Sequence, residues 1–228
     1  MNEKEYLAHL EQIVKQYLQP LRNIPFNLVI EAISGHKVIP FNKDDDEDRQ
    51  LLNLLKKAVK VAGQAINKKG IERRRPNEVG NDVESFVSDA LKRVGLSPQI
   101  PQTRSGRRKS AGYPDLQIEF QGKVHYIECK TYNNQNVNTT QRSFYFSPSE
   151  DFKVTASGHH FALCFETYLV GPSKKDGFSI YKVRSWKILS LERLLVDVKH
   201  EFNSDNKRLY SGKDGAKILA SGNFKTDR

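Results

Sequence analysis

Two carboxylates and a lysine near the middle of this 228-residue chain have types and spacing that suit metal-assisted chemistry. Asp115 follows Pro114, and a single cysteine separates Glu128 from Lys130. Residues two apart in a strand project to the same face, so Glu128 and Lys130 are expected to point together while Cys129 points into apolar packing. The pattern therefore predicts an acid and a base held side by side.

The two acids are expected to meet across a β-hairpin. Apolar residues alternate along 116–120 and 124–130, and the short glycine-containing stretch at 121–123 is typical of a turn. An antiparallel hairpin brings Asp115, at the start of the first strand, within a few ångströms of Glu128 on the second. A salt-bridged hairpin without catalytic chemistry is the alternative explanation of the same residues.

Oxygen ligands of this kind suit magnesium, which prefers octahedral oxygen coordination and keeps several of its waters. The predicted ligands are the side chains of Asp115 and Glu128 and the main-chain carbonyl of Cys129. Lys130 would then contact a scissile phosphate or the attacking water. Because a bound divalent ion activates water and offsets phosphate charge, the residues predict Mg²⁺-dependent phosphodiester hydrolysis.

The segments Pro114-Asp115 and Glu128-Cys129-Lys130 together resemble the motif of the PD-(D/E)XK nuclease superfamily, to which most type II restriction endonucleases belong. The resemblance covers residues 77–170. It implies a restriction-endonuclease-like core, Mg²⁺ as the cofactor and double-stranded DNA as the substrate.

The resemblance also implies a further acidic residue, because in that superfamily the helix before the hairpin often supplies one to the metal site. Glu84 is the predicted catalytic and metal-binding residue, since it borders the apolar face of its helix. Glu78, at the helix start, is the second choice. A surface charge or a helix cap is the alternative for either acid.

The activity implied is that of a type II restriction endonuclease, which hydrolyses both strands of a short specific sequence and leaves 5′-phosphates. A homodimer is expected, because a palindromic site presents two symmetric scissile bonds. A cognate DNA methyltransferase is expected in the same restriction-modification system, but not as a bound subunit. The alternatives are a structure-selective repair or recombination nuclease, such as a junction resolvase, and a catalytically inactive DNA-binding module.

Two polar stretches are candidates for DNA binding. The first precedes Asp115 and is cationic, which suits phosphate contacts. The second follows Lys130 and carries amide side chains that can form paired hydrogen bonds with base edges. Solvated surface charge and an ordinary polar loop are the alternatives. The candidate residues are Arg104, Arg107, Arg108 and Lys109 in the first stretch, and Asn133, Asn134, Gln135, Asn136, Asn138, Gln141 and Arg142 in the second.

The overall charge favours a polyanionic partner. Lys and Arg total 37 against 27 Asp and Glu, a formal net charge of +10. No apolar run approaches the ~18–20 residues of a membrane helix, and a signal-peptide pattern is lacking, so a cytoplasmic protein without membrane contact is expected. Cys129 and Cys164 lie in apolar contexts, which argues against disulfides and thiolate zinc sites.

Apolar spacing predicts helices at 6–18, after the acidic run 44–48 up to Gly70, and at 77–95, with further strands at 161–170 and 178–183. A short helix is predicted near 149–156, and a helix that covers the sheet is predicted at 190–202. The acidic run suits a helix start, and it lacks the spacing of a calcium loop. His159 and His160 are expected to pack at a strand end.

The predicted fold is mixed α/β (α+β), with a central mixed β-sheet that carries the hairpin and is flanked by helices. A single nuclease domain is expected over 1–228. It would comprise an N-terminal helical region at 1–75, a catalytic core at 76–200 and a polar C-terminal segment at 201–228. The N-terminal region is a candidate for pairing two copies.

Overall fold

The computed structural model describes residues 2–19, 21–108, 112–133, 138, 144, 146 and 149–198. The chain divides into two compact units, Met1–Arg22 with Asp197–Arg228, and Asn23–Val196. The helices are α1 (Glu3–Tyr17), α2 (Phe26–Ser34), α3 (Asp46–Lys69) and α4 (Gly80–Arg93), with a 3₁₀ turn at Pro76–Glu78. The strands are β1 (Ile24–Pro25), β2 (Ile71–Arg73), β3 (Leu116–Phe120), β4 (Lys123–Tyr132), β5 (His160–Pro172), β6 (Ser179–Ser190) and β7 (Leu195–Val196).

The first unit contains α1, which confirms the first predicted helix. Its start is stabilised by a reciprocal cap: the Asn2 side chain accepts from the Glu5 N–H, and the Glu5 carboxylate accepts from the Asn2 N–H, each at 2.9 Å. No residue of α1 is buried. The apolar stripe that predicted this helix therefore lies on its exposed surface.

The second unit is organised around a five-stranded sheet with the order β2-β6-β5-β4-β3. Strands β4 and β5 run parallel, and the other neighbours run antiparallel. The predicted mixed sheet is confirmed, and the predicted hairpin β3–β4 forms one of its edges. Strands β1 and β7 pair separately as a two-stranded sheet.

Helix α3 begins inside the acidic run, where the Asp45 side chain accepts from the N–H groups of Glu47 and Asp48 at 3.0 Å each. The acidic first turn also opposes the helix dipole. The helix ends at Gly70, which has φ +74° and thus a backbone conformation that favours glycine. The predicted helices at α3 and α4 are confirmed, except that α3 begins within the acidic run and not after it.

The two faces of the large sheet pack against different partners. One face and helices α3 and α4 share an apolar cluster that includes Ile127 and Cys129. The opposite face contributes Tyr126 and Cys164 to a second cluster with Phe26 of α2. Neighbouring β4 residues therefore project to opposite sides, as the period of a strand requires.

Two predicted helices are wrong. Residues 149–156 form no helix, because two of their N–H groups, those of Thr155 and Ala156, donate to the Tyr126 hydroxyl at 2.9 Å instead of bonding within a helical turn. The described part of 190–202 is also not helical, since Leu195–Val196 pairs with Ile24–Pro25 as a strand. None of the helices in the described ranges combines the length and apolar character needed to span a membrane.

Candidate active site

The hairpin brings the two predicted acids to the same end of the sheet. Leu116 pairs with Ile127, so Asp115, one residue earlier, lies beside Glu128. The main-chain N–H of Cys129 donates to Asp115 Oδ2 at 2.8 Å. This bond fixes the carboxylate at a point where β3 has not yet begun to pair.

Glu128 and Lys130 project to the same side of β4, as alternation in a strand predicts. Lys130 Nζ lies 2.7 Å from Glu128 Oε1, and their side chains are 27% and 5% exposed. The Cys129 side chain lies on the other face, in the apolar cluster with α3 and α4. The acid and the base are thus paired in a site that is mostly shielded from solvent.

Burial dominates the electrostatics of the two carboxyls. It raises the pKa of Glu128 to about 7; the Asp115 charge adds to this rise, and Lys130 opposes it. Burial also raises the pKa of Asp115, against the lowering effects of the Cys129 N–H, Lys130 and Lys153. Two acids held this close favour either a shared proton or a bound cation.

The donors fit a divalent cation. Glu128 Oε2 is buried and has no hydrogen-bond partner among the described residues, and a buried oxygen of this kind is costly unless a ligand satisfies it. Within the same residues, no group of three or more His, Cys, Asp or Glu side chains could hold a metal ion. The candidate metal ligands are therefore the predicted ones, the carboxylates of Asp115 and Glu128 and the carbonyl of Cys129. So few ligands suit an ion that keeps several of its waters.

The structure brings Glu84 toward this site and leaves Glu78 at the end of the 3₁₀ turn. Glu84 is half-buried on α4; burial raises its pKa, the Asp115 charge raises it further, and Lys153 lowers it. The Glu78 carboxylate instead accepts from the Arg75 N–H at 3.3 Å.

A second lysine, Lys153, was missed by the sequence analysis. It is only 4% exposed, and its ammonium donates to the carbonyls of Gly112 and Pro114 at 2.6 and 2.9 Å. Its flanking residues, Phe152 and Val154, gave a weak signal, because a lysine within an apolar stretch needs a buried partner. The partners themselves are remote in sequence.

The chain also shares its sequence with known proteins. Residues 20–213 match the profile of the type II restriction enzyme MjaV family. The type II restriction enzyme MjaV of Methanocaldococcus jannaschii is 37% identical over 226 residues, which cover 92% of this chain and 95% of the relative. This chain belongs to the type II restriction enzyme MjaV family.

Membership of the MjaV family confirms the predicted class of enzyme, a type II restriction endonuclease. It favours that reading over the structure-selective nuclease and over the inactive DNA-binding module. No solved structure matches the chain.

In this MjaV-family chain the cationic stretch before Asp115 is an ordered turn. The Gly106 N–H donates to the Thr103 carbonyl and the Thr103 N–H donates to the Arg107 carbonyl, each at 2.8 Å. The Ser105 N–H and hydroxyl donate to the two carboxylate oxygens of Asp151 at 2.8 and 2.9 Å. The side chains of Arg104, Arg107 and Arg108 are exposed. Lys109 lies outside the described residues.

The amide-rich stretch is described only in part. Asn133 follows the end of β4, and both Asn133 and Asn138 are exposed. The candidates Asn134, Gln135, Asn136, Gln141 and Arg142 lie outside the described residues, as does the segment 201–228.

The histidine pair at the start of β5 packs as expected for a strand end. His159 is buried, with Nδ1 2.9 Å from the Ile39 carbonyl and Nε2 2.8 Å from Asp48 Oδ1. His160 Nδ1 lies 2.5 Å from the Tyr113 hydroxyl. This second bond ties β5 to the loop that leads into Asp115.

Proposed function

We propose that this MjaV-family enzyme hydrolyses both strands of a short specific sequence in double-stranded DNA, with Mg²⁺, and leaves 5′-phosphate ends. The catalytic residues proposed are Asp115, Glu128 and Lys130. Glu84, which lies near enough to Asp115 for that charge to raise its pKa, is proposed to join the metal site as a further acid when the ion is bound. The enzyme is proposed to act as a homodimer, with one centre for each strand.

One observation carries the proposal. Asp115 and Glu128 lie side by side at the hairpin mouth, Lys130 is paired with Glu128 at 2.7 Å, and Glu128 Oε2 has no partner among the described residues. A purely structural ion pair gains nothing from a second buried acid and an unsatisfied oxygen. A site built to receive a cation and a phosphate requires both.

Asp115, Glu128 and the Cys129 carbonyl would hold the metal ion, which when bound supplies Lewis acidity toward water and phosphate. The Cys129 N–H keeps the Asp115 carboxylate turned toward this set. Lys130, held by Glu128, donates to the attacking water or to an oxygen of the scissile phosphate. Such positioned proton donors and acceptors contribute typically about 10²–10⁴-fold to a rate.

Contacts with DNA are proposed for the turn that carries Arg104, Arg107 and Arg108, for Lys109 and for the amide-rich stretch. The exposed guanidinium groups suit phosphates, and the excess of 37 basic over 27 acidic residues supplies a long-range attraction. Asn133, Asn134, Gln135, Asn136, Asn138, Gln141 and Arg142 are proposed as the base-contacting set.

The experiment is digestion of phage DNA with Mg²⁺, followed by ligation of the products. Discrete fragments that a DNA ligase rejoins without prior phosphorylation are expected, because the ligase requires 5′-phosphates. The Asp115→Asn variant keeps an oxygen acceptor for the Cys129 N–H, and it should lose at least about a hundredfold in rate while still binding DNA in Ca²⁺.

The matched control is Glu119→Gln, which neutralises an exposed carboxylate on β3 and should cut like the unchanged protein. A smear of products, or a preference for branched DNA, would contradict sequence-specific cleavage and favour a structure-selective nuclease. Undiminished cutting by Asp115→Asn would show that Asp115 is not a catalytic residue. Light scattering should give twice the 26.1 kDa chain mass if the enzyme is a dimer.

A further inference from the structure

The buried lysine, Lys153, makes contacts that a purely apolar position would not require. Its side chain is 4% exposed, and its ammonium donates to two main-chain carbonyls, those of Gly112 and Pro114. Both carbonyls lie in the short loop that ends at Asp115. A buried ammonium is stabilised only by such partners, so the loop and the lysine constrain each other.

The constraint acts directly on the candidate metal ligand. The Pro114 carbonyl, 2.9 Å from Lys153 Nζ, belongs to the peptide group that joins Pro114 to Asp115. On the other side of the same residue, the Asp115 carboxylate accepts from the Cys129 N–H at 2.8 Å. The backbone and the side chain of Asp115 are thus held by two different elements, the segment at 151–153 and β4.

The segment at 151–153 is itself anchored to the basic turn. Asp151 accepts from the Ser105 N–H and hydroxyl, and the Phe152 carbonyl accepts from the Arg104 N–H at 2.9 Å. Three consecutive residues therefore connect the proposed phosphate-contacting turn to the loop of the proposed metal ligand.

The charge of Lys153 has a second effect, since it lowers the pKa of both Asp115 and Glu84 against the rise that burial causes. A fixed cation behind the loop helps to keep these carboxyls ionised. Lys130 also lowers the pKa of Asp115, but its ammonium pairs with the Glu128 carboxylate, whereas that of Lys153 bonds to main-chain carbonyls.

We propose that Lys153 is a positioning residue for DNA cleavage: it holds the carbonyls of Gly112 and Pro114 so that the Asp115 carboxylate stays directed at Glu128. The proposal rests on the proposed function of Asp115 as a metal ligand. The position of the Asp115 carboxylate can nevertheless be measured without DNA cleavage, because the Cys129 N–H donates to this carboxylate in the metal-free protein.

The first measurement is amide hydrogen exchange of metal-free Lys153→Met. Without the ammonium the loop loses two hydrogen bonds, so the Cys129 amide should exchange about tenfold faster or more. Leu163, fully buried in the middle strand β5, should keep its exchange rate. Equal acceleration at Cys129 and Leu163 would indicate general destabilisation and overturn the proposal, as would unchanged protection at Cys129.

The second measurement is the single-turnover rate at saturating DNA, expressed per molecule that binds DNA in Ca²⁺. Lys153→Met should lower this rate by about ten- to a hundredfold, because small displacements of catalytic groups have effects of this size. Its DNA dissociation constant should stay within about twofold of the unchanged protein. Lys153→Arg keeps a cation and hydrogen-bond donors and should recover part of both the rate and the Cys129 protection.

The control is Lys60→Met, which removes an exposed lysine of α3 and should change neither readout. If Lys153→Met does not fold, Lys153→Gln is expected to show the same selective change at Cys129, and its absence overturns the proposal. Failure of the unchanged protein to cut DNA would overturn the proposed function instead. A wild-type rate in folded Lys153→Met, beside an inactive Asp115→Asn, would overturn only the role of Lys153.

Discussion

Burial and a neighbouring acid destabilise the charged form of Glu128 at the candidate site. Its carboxylate is almost fully buried, faces Asp115, and keeps one oxygen without a partner among the described residues. The ion pair with Lys130 offsets only part of the cost of burying this charge, because burial still raises the pKa of Glu128 to about 7. Groups placed at such a cost are typical of functional sites, where stability is given up for chemistry.

Glu128→Gln should therefore stabilise the protein in EDTA while it abolishes cleavage. The amide removes a buried charge and its repulsion by Asp115, and Lys130 remains beside Asp115, whose pKa it lowers. The thermal midpoint is expected to rise by a few degrees, since each kcal/mol corresponds to roughly 2–4 °C in a chain of this size.

Differential scanning calorimetry checks this, with Glu119→Gln on the exposed side of β3 as the control. An unchanged or lower midpoint for Glu128→Gln would show that the carboxylate contributes net stability through Lys130.

At the scale of elements, the junction between β4 and β5 depends on one glycine. A Cβ added at Gly158 would lie 1.9 Å from the Val124 carbonyl oxygen, which no side chain could tolerate without backbone movement. Gly158 also bridges to Val38, with the Ile39 N–H donating to its carbonyl at 2.8 Å. This close approach sets where β5 starts beside β4, and thus the position of Glu128 relative to its neighbouring strand.

Gly158→Ala is expected to lower the free energy of unfolding by about 1–3 kcal/mol or more, because the added methyl group must displace backbone atoms. Gly171→Ala in β5 is the matched control, since nothing lies within 4 Å of a Cβ built there. Urea denaturation of both variants checks the prediction. Similar losses at the two positions would contradict the role given to the close contact.

At the scale of the whole molecule, two buried histidines make folding sensitive to acid. Burial lowers the pKa of His125 to about 4 and that of His160 to about 3, from an ordinary value of 6.5. His125 stacks on His159 with ring centroids 5.0 Å apart, and His160 Nδ1 lies 2.5 Å from the Tyr113 hydroxyl. His125 belongs to β4, and His160 belongs to β5 and contacts the loop that leads to Asp115, so protonation of either ring would disturb the strands that carry the site.

The direction in which stability changes with pH is set by how many protons the unfolded and folded states bind. Below pH 6.5 the unfolded chain binds protons at these histidines while the folded protein does not, so their contribution to stability is full above about pH 6.5 and falls as the pH drops toward 4. Glu128, whose pKa is raised to about 7, contributes a slope of the opposite sign between about pH 4.5 and 7. Each histidine contributes a slope of roughly 1.4 kcal/mol per pH unit in that window. His125→Gln should reduce the measured slope by about this amount, whatever its effect at neutral pH.

Denaturant unfolding at several pH values between 4 and 7 tests this, with His9→Gln, an exposed histidine of α1, expected to leave the slope unaltered. A slope in His125→Gln equal to that of the unchanged protein would contradict the assignment.

Much of the fold was predictable because its signals are local. The alternation at 116–120 and 124–130 predicted the hairpin, and the three- and four-residue spacing before Gly70 predicted α3. Pro114-Asp115 and Glu128-Cys129-Lys130 pointed to the candidate site through residue type and strand period alone. Side-chain direction in a regular strand follows from the backbone repeat, so no tertiary information was needed for Glu128 and Lys130 to share a face.

Although α2 and the short strands β1, β2 and β7 were not predicted, the sequence by itself thus determined strands β3 to β6, helices α1, α3 and α4, and the residue types available for metal-assisted chemistry. Tertiary structure decided which groups support them: Lys153 bonds to Gly112 and His159 to Asp48, across 41 and 111 positions of the chain. Tertiary contacts also replaced the helices predicted over 149–156 and over the described part of 190–202. N–H groups of the first segment bond to the Tyr126 hydroxyl, and Leu195–Val196 of the second pairs with Ile24–Pro25. A local pattern cannot encode such partners, since burial and hydrogen bonding between remote residues exist only once the sheet has formed.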